Sequence, residues 1–121
     1  MENSVIAVIG VSADPAKFGF KIFKSLLIAG YKVYGVNPKG GEVAGQRVYA
    51  AVGALPQKPE IALLVVPPAS ALASVKPCAE AGVKIFWMQP GSDSDEVERA
   101  AETAGMHVVR GACFMAKEGV W

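Results

Sequence analysis

Residues 8–19 read VIGVSADPAKFG, and this stretch decides the fold. An apolar strand, Val5 to Ile9, leads into it, the chain turns at Gly10, and a helix is predicted to begin at Phe18. A buried strand, a tight glycine turn and a helix N-terminus form an anion site, because free backbone N–H groups and the positive end of the helix dipole point above the turn. Phosphate is the usual occupant of such a site, so the stretch predicts a ligand that carries phosphate.

Strands and helices alternate along the rest of the chain, with glycine or proline between them. Strands are predicted at residues 5–10, 31–36, 46–49, 61–66, 83–88 and 106–109. Helices are predicted at 18–29, 69–81 and 95–104, with a single helical turn at 51–55. Residues 37–41 have the composition of a loop, and no element is assigned to 110–121.

The alternation predicts an α/β protein with three layers, in which helices cover both faces of a mostly parallel sheet. Right-handed crossovers favour the Rossmann-like strand order 3-2-1-4-5, with a final strand at the edge. In this order the switch point, where successive strands begin to be added on the other side of the sheet, lies between the first and fourth strands, beside Gly10. Ligands bind there at the carboxyl ends of the strands. A chain of 121 residues is expected to form one domain, residues 1–121.

Three local patterns in the predicted helices add further expectations. Helical spacing predicts that the face of the first helix that meets the sheet consists of Phe18, Ile22, Leu26 and Ala29. Pro77 lies inside the second helix and is expected to kink it or to shift its start. Before the third helix, Ser92, Asp93 and Ser94 are candidate N-caps, and Asp93 and Glu96 have capping-box spacing.

Composition and charge exclude several classes of protein. Hydrophobic residues make up 52% and charged residues 19% of the chain, which is typical of a globular protein. The net charge of +1 gives no electrostatic support for a nucleic-acid partner. No apolar run approaches the ~20 residues of a membrane helix, and the N-terminus lacks the basic region of a signal peptide. We therefore expect a cytoplasmic protein with neither a nucleic-acid partner nor a membrane partner.

The cysteines and the single histidine do not indicate a metal site. Cys78 and Cys113 are far apart in sequence, and His107 has no second histidine beside it. Cys78 is expected to be a small core residue. No disulfide is required in a chain with this much apolar sequence.

Four loops meet at the carboxyl edge of the predicted sheet, at residues 10–17, 37–41, 66–68 and 89–91. These loops contain no histidine, no pair of carboxylates and no Ser/His couple, and the acids at this edge are Asp14 and Glu42. The groups that general acid–base or nucleophilic catalysis needs are therefore missing. We expect this edge to hold a ligand and not to be an enzyme active site.

Two features count against NAD as the ligand. The glycine pattern is not G-x-G-x-x-G, because the next glycine after Gly10 is Gly19. The second strand ends in Val36-Asn37-Pro38-Lys39 instead of the acid that would bind a free ribose hydroxyl. A lysine suits a phosphate on the ribose, which NADP carries at the 2′ position and coenzyme A at the 3′ position. The residues leave both ligands open.

A series of motifs in a fixed order covers nearly the whole chain. It comprises VIGVS at 8–12 with Pro15, Lys17 and Gly19, GYxVYxVNPK at 30–39, EVxG at 42–45, VVPP at 65–68, WxQPG at 87–91 and Cys113. The series resembles that of the small single-domain CoA-binding proteins, relatives of the CoA-binding domain of the succinyl-CoA synthetase alpha subunit. Gly35 stands where that family often has proline, and the sequence after Cys113 matches poorly. The resemblance implies a Rossmann-like CoA-binding domain without the synthetase domain that carries the phosphohistidine.

The resemblance also implies a binding site for coenzyme A or an acyl-CoA at the four loops. The implied site residues are Gly10, Val11, Ser12, Ala13, Lys17, Phe18, Gly19, Asn37, Pro38, Lys39, Val66, Pro67, Pro68, Gln89, Pro90 and Gly91. The pyrophosphate is expected over residues 10–13, the 3′-phosphate beside Lys39, and the thiol arm towards residues 89–91. Cys113, which lies beyond the last predicted strand and near Arg110, is a candidate to approach the thiol, and its role stays open.

Two other functions stay open on the sequence. An NADP-dependent reductase or sensor would need a substrate domain, for which 121 residues leave no room. An interaction subunit would form a homodimer or dock to an enzyme subunit, and an exposed apolar patch around residues 114–121 would favour it.

Overall fold

The computed structural model describes residues 4–121, and its strands form one sheet. The strands are β1 (Val5–Ile9), β2 (Lys32–Val36), β3 (Gly41–Val43), β4 (Gln46–Tyr49), β5 (Ile61–Leu64), β6 (Ile85–Met88) and β7 (His107–Val109). The helices are α1 (Phe18–Ile28), α2 (Pro68–Glu80), α3 (Asp95–Thr103) and α4 (Phe114–Lys117), and a 3-10 turn lies at Val52–Ala54.

The strand order across the sheet is β3-β4-β2-β1-β5-β6-β7. Neighbouring strands are parallel throughout, except for β3 and β4. The predicted Rossmann-like order is confirmed, because β4, β2, β1, β5 and β6 are the predicted strands 3, 2, 1, 4 and 5. The order in which successive strands are added reverses between β1 and β5, so the turn at Gly10 lies beside the point where ligands bind in such sheets.

The assignment of residues 37–41 to a loop is wrong at its end, where Gly41 begins β3. This strand pairs with β4 in an antiparallel hairpin, with Glu42 opposite Arg47. Ala44 and Gly45 form the two-residue turn with φ values of 52° and 78°, as the tight turns that match strand twist require. A strand of three residues is too short for apolar alternation to reveal it.

The core lies on both faces of the sheet. All five residues of β1 are buried, because helices cover both sides. On one face Ile6 and Val8 pack with Ile22, Phe23, Leu26, Phe114 and Met115 of α1 and α4. On the other face Ala7 and Ile9 belong to a cluster with Ala71, Val75, Cys78, Val97 and Ala101 of α2 and α3.

The predicted inward face of α1 is wrong at both ends. Ile22 and Leu26 are buried as expected, but Ala29 is exposed and Phe18 is 62% exposed. Gly19 faces the sheet instead, because a Cβ on this residue would overlap the carbonyl oxygen of Gly10. The glycine lets the helix pack directly on the turn after β1, and this orientation directs Phe18 outward.

The predictions for the start of α2 and for the N-cap of α3 are confirmed in part. Strand β5 ends at Leu64, and Pro68 is the first residue of α2, where its missing N–H removes no helical bond. The helix starts one residue earlier than predicted and contains Pro77. The candidate N-cap Ser94 is confirmed, because its Oγ accepts a hydrogen bond from the Val97 N–H at 3.2 Å, whereas the capping box of Asp93 and Glu96 is wrong.

Two side chains of the β6 segment hold residues 110–121 against the sheet. The Trp87 Nε1–H donates to the Ala112 carbonyl at 2.9 Å, and the Gln89 Oε1 accepts from the Phe114 N–H at 2.7 Å. The ring of Phe114 packs edge-on against Trp87 with 5.0 Å between centroids. The segment without a predicted element therefore contributes α4 to the same face as α1.

Candidate functional site

The turn after β1 borders a shallow recess of about 400 Å³, which we call the cradle. It is lined by Gly10, Ser12, Lys17, Phe18 and Gly19 on one side and by Val65, Val66, Pro67, Pro68, Pro90, Gly91 and Ser92 on the other. Gly10 has a φ of 108°, and a Cβ there would overlap the carbonyl oxygen of Val65. Only glycine allows the turn to lie this close to the end of β5.

Several backbone N–H groups in and beside the cradle have no protein acceptor in the part of the chain that the structure describes. Within residues 4–121, no protein group accepts a hydrogen bond from the N–H of Ser12, Ala13, Phe18 or Gly19. Lys17 is the extended N-cap residue of α1, and no side chain caps this helix end. Because the first turn also contains no acid, the helix dipole and the ammonium of Lys17 are available to an anion.

Asn37 connects the loop after β2 to the cradle. Its Nδ2 donates to the Val11 carbonyl at 2.7 Å, and its Oδ1 accepts from the Lys39 N–H at 2.8 Å. The side chain of Asn37 therefore holds two loops together and fixes the backbone at Lys39.

Lys39 is exposed and lines a recess of about 360 Å³ beside Ser12 and Ala13. The carboxylates of Asp14 and Glu42 line the same recess. A phosphate bound there is attracted by one ammonium and repelled by two carboxylates, so only a direct contact with Lys39 makes the recess favourable.

An apolar cleft of about 340 Å³ opens on the α2 side of the turn at Gly10. Its apolar walls come from Ile9, Val36, Pro38, Ala50, Ala51, Val52, Val66, Ala73, Pro77 and Cys78. The polar residues of its lining are Ser70 and Ser74, and the Ser74 Oγ–H donates to the Ser70 carbonyl at 2.8 Å. The cleft meets the cradle at Gly10 and Val66, and its character suits a flat, weakly polar ring.

A second apolar cavity, of about 280 Å³, lies between α1, the ends of β5 and β6, and the C-terminal segment. We call it the tail cavity, and its lining consists of Phe18, Ile22, Val65, Gln89, Pro90, Cys113 and Trp121. Phe18, Val65 and Pro90 also line the cradle. The cradle therefore has an apolar cavity on each side.

The polar groups of the tail cavity bond to each other. Gln89 is 5% exposed, and its Nε2 donates to the Cys113 Sγ at 3.3 Å. Burial raises the pKa of the Cys113 thiol, but hydrogen bonds from the Ala116 N–H, Gln89 and the Met115 N–H outweigh burial and bring the pKa below its usual value. Cys78 is a fully buried core residue, as predicted, and burial raises its pKa to about 12.

Arg110 gathers three carboxylates at the start of α3. Its guanidinium lies 2.9 Å from Asp93, 2.9 Å from Asp95 and 2.8 Å from Glu98. The hydrogen bond from Arg110 is the main reason why the pKa of Asp93 is below its usual value. This network fastens the end of β7 to α3, and it explains why Asp93 does not cap the helix.

Residues 4–121 contain no candidate membrane span and no candidate metal site. No helix there is both long and apolar enough to cross a membrane. No group of three or more His, Cys, Asp or Glu side chains in this part of the chain is arranged to hold a metal ion.

The sequence pattern of the CoA binding domain family matches residues 4–118. The chain belongs to this family. The predicted resemblance to CoA-binding domains is thereby confirmed.

This CoA-binding domain is similar to parts of larger enzyme subunits. It is 41% identical over 118 residues to the alpha subunit of ADP-forming acetate–CoA ligase I from Pyrococcus furiosus, covering 87% of this chain and 26% of that subunit. It is 42% identical over 80 residues to the alpha subunit of ADP-forming acetate–CoA ligase II from the same organism, covering 65% and 18%. The domain thus spans about a quarter or less of the length of these relatives.

Solved structures share the fold of the CoA-binding domain. A conserved hypothetical protein from Pyrococcus furiosus superimposes with a TM-score of 0.88 at 40% identity, covering 94% of this chain and 98% of that one. An acetyl-coenzyme A synthetase from Candidatus Korarchaeum cryptofilum, described as dinucleotide-forming and solved with phosphate and ADP, gives 0.79 at 36% identity, covering 90% and 26%. The fold therefore occurs both as a short chain and within a larger synthetase.

The structure brings the predicted site residues of the CoA-binding domain to one edge of the sheet. Those on the cradle are Gly10, Ser12, Lys17, Phe18, Gly19, Val66, Pro67, Pro68, Pro90 and Gly91. Those on the recess beside Lys39 include Val11, Ala13 and Asn37, while Pro38 lines the apolar cleft and Gln89 the tail cavity. Their contact with a ligand stays a prediction.

Sequence reasoning missed Ser92, which is 2% exposed. Its Oγ–H donates to the Leu64 carbonyl at 2.9 Å, and the Oγ accepts from the Val66 N–H at 3.0 Å. Ser92 thereby fixes the chain before Pro67 to the loop after β6. The sequence analysis named Ser92 only as a candidate N-cap, and the signal for a place at the site was its position directly after the loop at residues 89–91.

Proposed function

We propose that this domain binds coenzyme A or an acyl-CoA along the carboxyl edge of its sheet, without catalysis of its own. The observation that carries the proposal is a set of N–H groups without a protein acceptor within residues 4–121, those of Ser12, Phe18 and Gly19 on the cradle and that of Ala13 on the adjoining recess, in a member of the CoA binding domain family. A pyrophosphate supplies several oxygen acceptors to such donors and its charge is favourable at the N-terminus of α1.

The neighbouring cavities suit the other parts of coenzyme A. We assign the adenine to the apolar cleft beside Pro38, which has room for a planar ring. We assign the 3′-phosphate to Lys39, on the next residue of the same loop. From the cradle the pantetheine arm would pass Pro67 and Pro90 towards Gly91.

We expect the ionisable groups around the proposed site to hold the ligand and not to react with it. Lys17 and Lys39 are exposed, and Asp14 accepts a hydrogen bond from the Ala16 N–H at 3.0 Å. The relatives named as ligase subunits are several times longer than this chain. The proposal therefore assigns the holding of CoA to this domain and leaves bond-making chemistry to a partner subunit.

Calorimetric titration of the purified chain with CoA, 3′-dephospho-CoA and NADPH tests the proposal. We expect CoA to bind more tightly than dephospho-CoA, and NADPH to bind more weakly than both. Binding of NADPH without binding of CoA would overturn the proposed function. Equal affinities for CoA and dephospho-CoA would overturn only the role of Lys39.

A further inference from the structure

We infer that the tail cavity is a seat for the acyl group of an acyl-CoA, and that it selects short apolar acyl chains over free CoA and over acyl groups with a terminal carboxylate. This inference rests on the proposed function. It concerns the cavity between α1 and the C-terminal segment, which is separate from the phosphate cradle and from the cleft assigned to adenine.

The tail cavity adjoins the cradle, which is proposed to hold the pyrophosphate of the ligand. Phe18, Val65 and Pro90 line both the cradle and the tail cavity. An arm that leaves a pyrophosphate in the cradle and passes Pro67 and Pro90, as proposed above, therefore reaches the tail cavity, which Pro90 and Gln89 line. The thiol end of the pantetheine, and whatever is esterified to it, would arrive there.

The walls of the tail cavity are mostly apolar. Five of the seven lining residues are apolar, and none is charged. The two polar ones, Gln89 and Cys113, bond to each other, and the Gln89 Oε1 is occupied by the Phe114 N–H. A carboxylate would lose its hydration there without gaining a counter-charge, whereas an alkyl chain would be removed from water.

Two exposed aromatic side chains, Phe18 and Trp121, lie on the wall of the tail cavity. Phe18 is 62% and Trp121 is 54% exposed, and their ring centroids are 6.2 Å apart. The Trp121 Nε1–H donates to the Ser25 Oγ at 3.2 Å, which holds the indole beside α1. Exposed aromatic surface beside an apolar cavity is expected to be covered when a ligand is bound.

The volume of the tail cavity limits the length of the acyl chain that it can hold. A volume of about 280 Å³ corresponds to roughly nine groups of the size of water, at about 30 Å³ each. This is enough for the cysteamine end of the pantetheine together with a chain of about four to six carbons. We therefore expect affinity to rise with acyl length and then to level off.

The test is a calorimetric series with the full chain and CoA, acetyl-CoA, butyryl-CoA, hexanoyl-CoA and succinyl-CoA. We expect the dissociation constant to fall about two- to fourfold for each added methylene that is buried. Succinyl-CoA, which matches butyryl-CoA in chain length but carries a carboxylate, is expected to bind no more tightly than CoA. Equal binding of CoA and all acyl-CoAs would overturn the inference and leave the proposed function standing, whereas no binding of CoA or any acyl-CoA would overturn the proposed function itself.

Trp121→Ala tests the wall directly, because Trp121 lines the tail cavity but not the cradle. The variant is expected to flatten the dependence of affinity on acyl length. Ile28→Ala, which removes a side chain on α1 that is 77% exposed, is the matched control and should keep the full dependence. An unchanged dependence in Trp121→Ala would exclude Trp121 from the acyl seat.

Discussion

The carbonyl oxygen of Gly10 occupies the space in which a side chain at Gly19 would lie. The turn after β1 and the first turn of α1 therefore meet backbone to backbone, and this contact brings the N–H groups of Phe18 and Gly19 to the cradle. The spacing of nine residues does not match the dinucleotide pattern. It nevertheless supplies the close packing of helix and strand that the third glycine of that pattern provides.

Gly19→Ala is expected to lower the free energy of unfolding by about 1–3 kcal/mol, because the added Cβ overlaps backbone that has no room to relax. It should also weaken CoA binding, since α1 must move away from the turn. Urea denaturation and calorimetry measure the two effects. Gly53→Ala is the control, because no atom lies within 4 Å of its Cβ position, and wild-type stability in Gly19→Ala would contradict the packing described above.

Lys39→Ala is expected to weaken CoA binding by about 1–3 kcal/mol and to leave the affinity for 3′-dephospho-CoA unchanged. The reason is that the contact is with the 3′-phosphate alone. Lys32→Ala is the matched control, because Lys32 begins β2 at the opposite edge of the sheet and is exposed. A loss of affinity for both ligands in Lys39→Ala would show a general charge effect instead of a specific contact.

Glu42→Gln is expected to strengthen CoA binding by about 0.2–1 kcal/mol. Its carboxylate lines the recess of Lys39 and would repel the 3′-phosphate. The same titrations, repeated at high salt, measure the effect, which should shrink as salt screens the repulsion. Weaker binding of CoA by Glu42→Gln would place the phosphate outside this recess.

The ion pair of Asp93 and Arg110 makes stability depend on pH in the acid range. Because the pKa of Asp93 is lowered in the folded chain, its contribution is fully present above the unfolded pKa of about 3.9 and is lost as pH falls through the lower folded value. Asp93→Asn should therefore be less stable than wild type at pH 7, and the difference should shrink as the pH falls below about 3.9, as measured by urea unfolding. Glu96→Gln, in the same first turn of α3, should not show this loss of difference.

Cys113 is expected to react with iodoacetamide well before Cys78, as measured by peptide mapping at neutral pH. Cys113 is partly exposed with a lowered pKa, whereas burial raises the pKa of Cys78 to about 12. Bound CoA should slow the modification of Cys113, because the thiol arm would occupy the tail cavity. Modification of Cys78 at the same rate as Cys113 would contradict the burial of Cys78 in the core.

Local pattern was a good guide where an element forms from its own sequence. The apolar run of β1, the start of α1 at Phe18 and the strand at Gln46–Tyr49 all agree with prediction. Pattern failed where a distant group decides the outcome. Asp93 was one of three candidate N-caps and had capping-box spacing with Glu96, but Arg110, seventeen residues later, binds its carboxylate.

The sequence by itself determined the α/β class, the strand order and the edge at which the four loops meet. These follow from apolar periodicity, from glycine and proline at the breaks, and from the handedness of crossovers, which act over short stretches of chain. Only the tertiary structure decided that Gly19 turns inward and Phe18 outward, that Gln89 and Trp87 fasten the C-terminal segment, and that Phe18 and Trp121 flank one cavity. Such contacts join residues up to about a hundred positions apart, and packing of whole elements, not local preference, sets which of them meet.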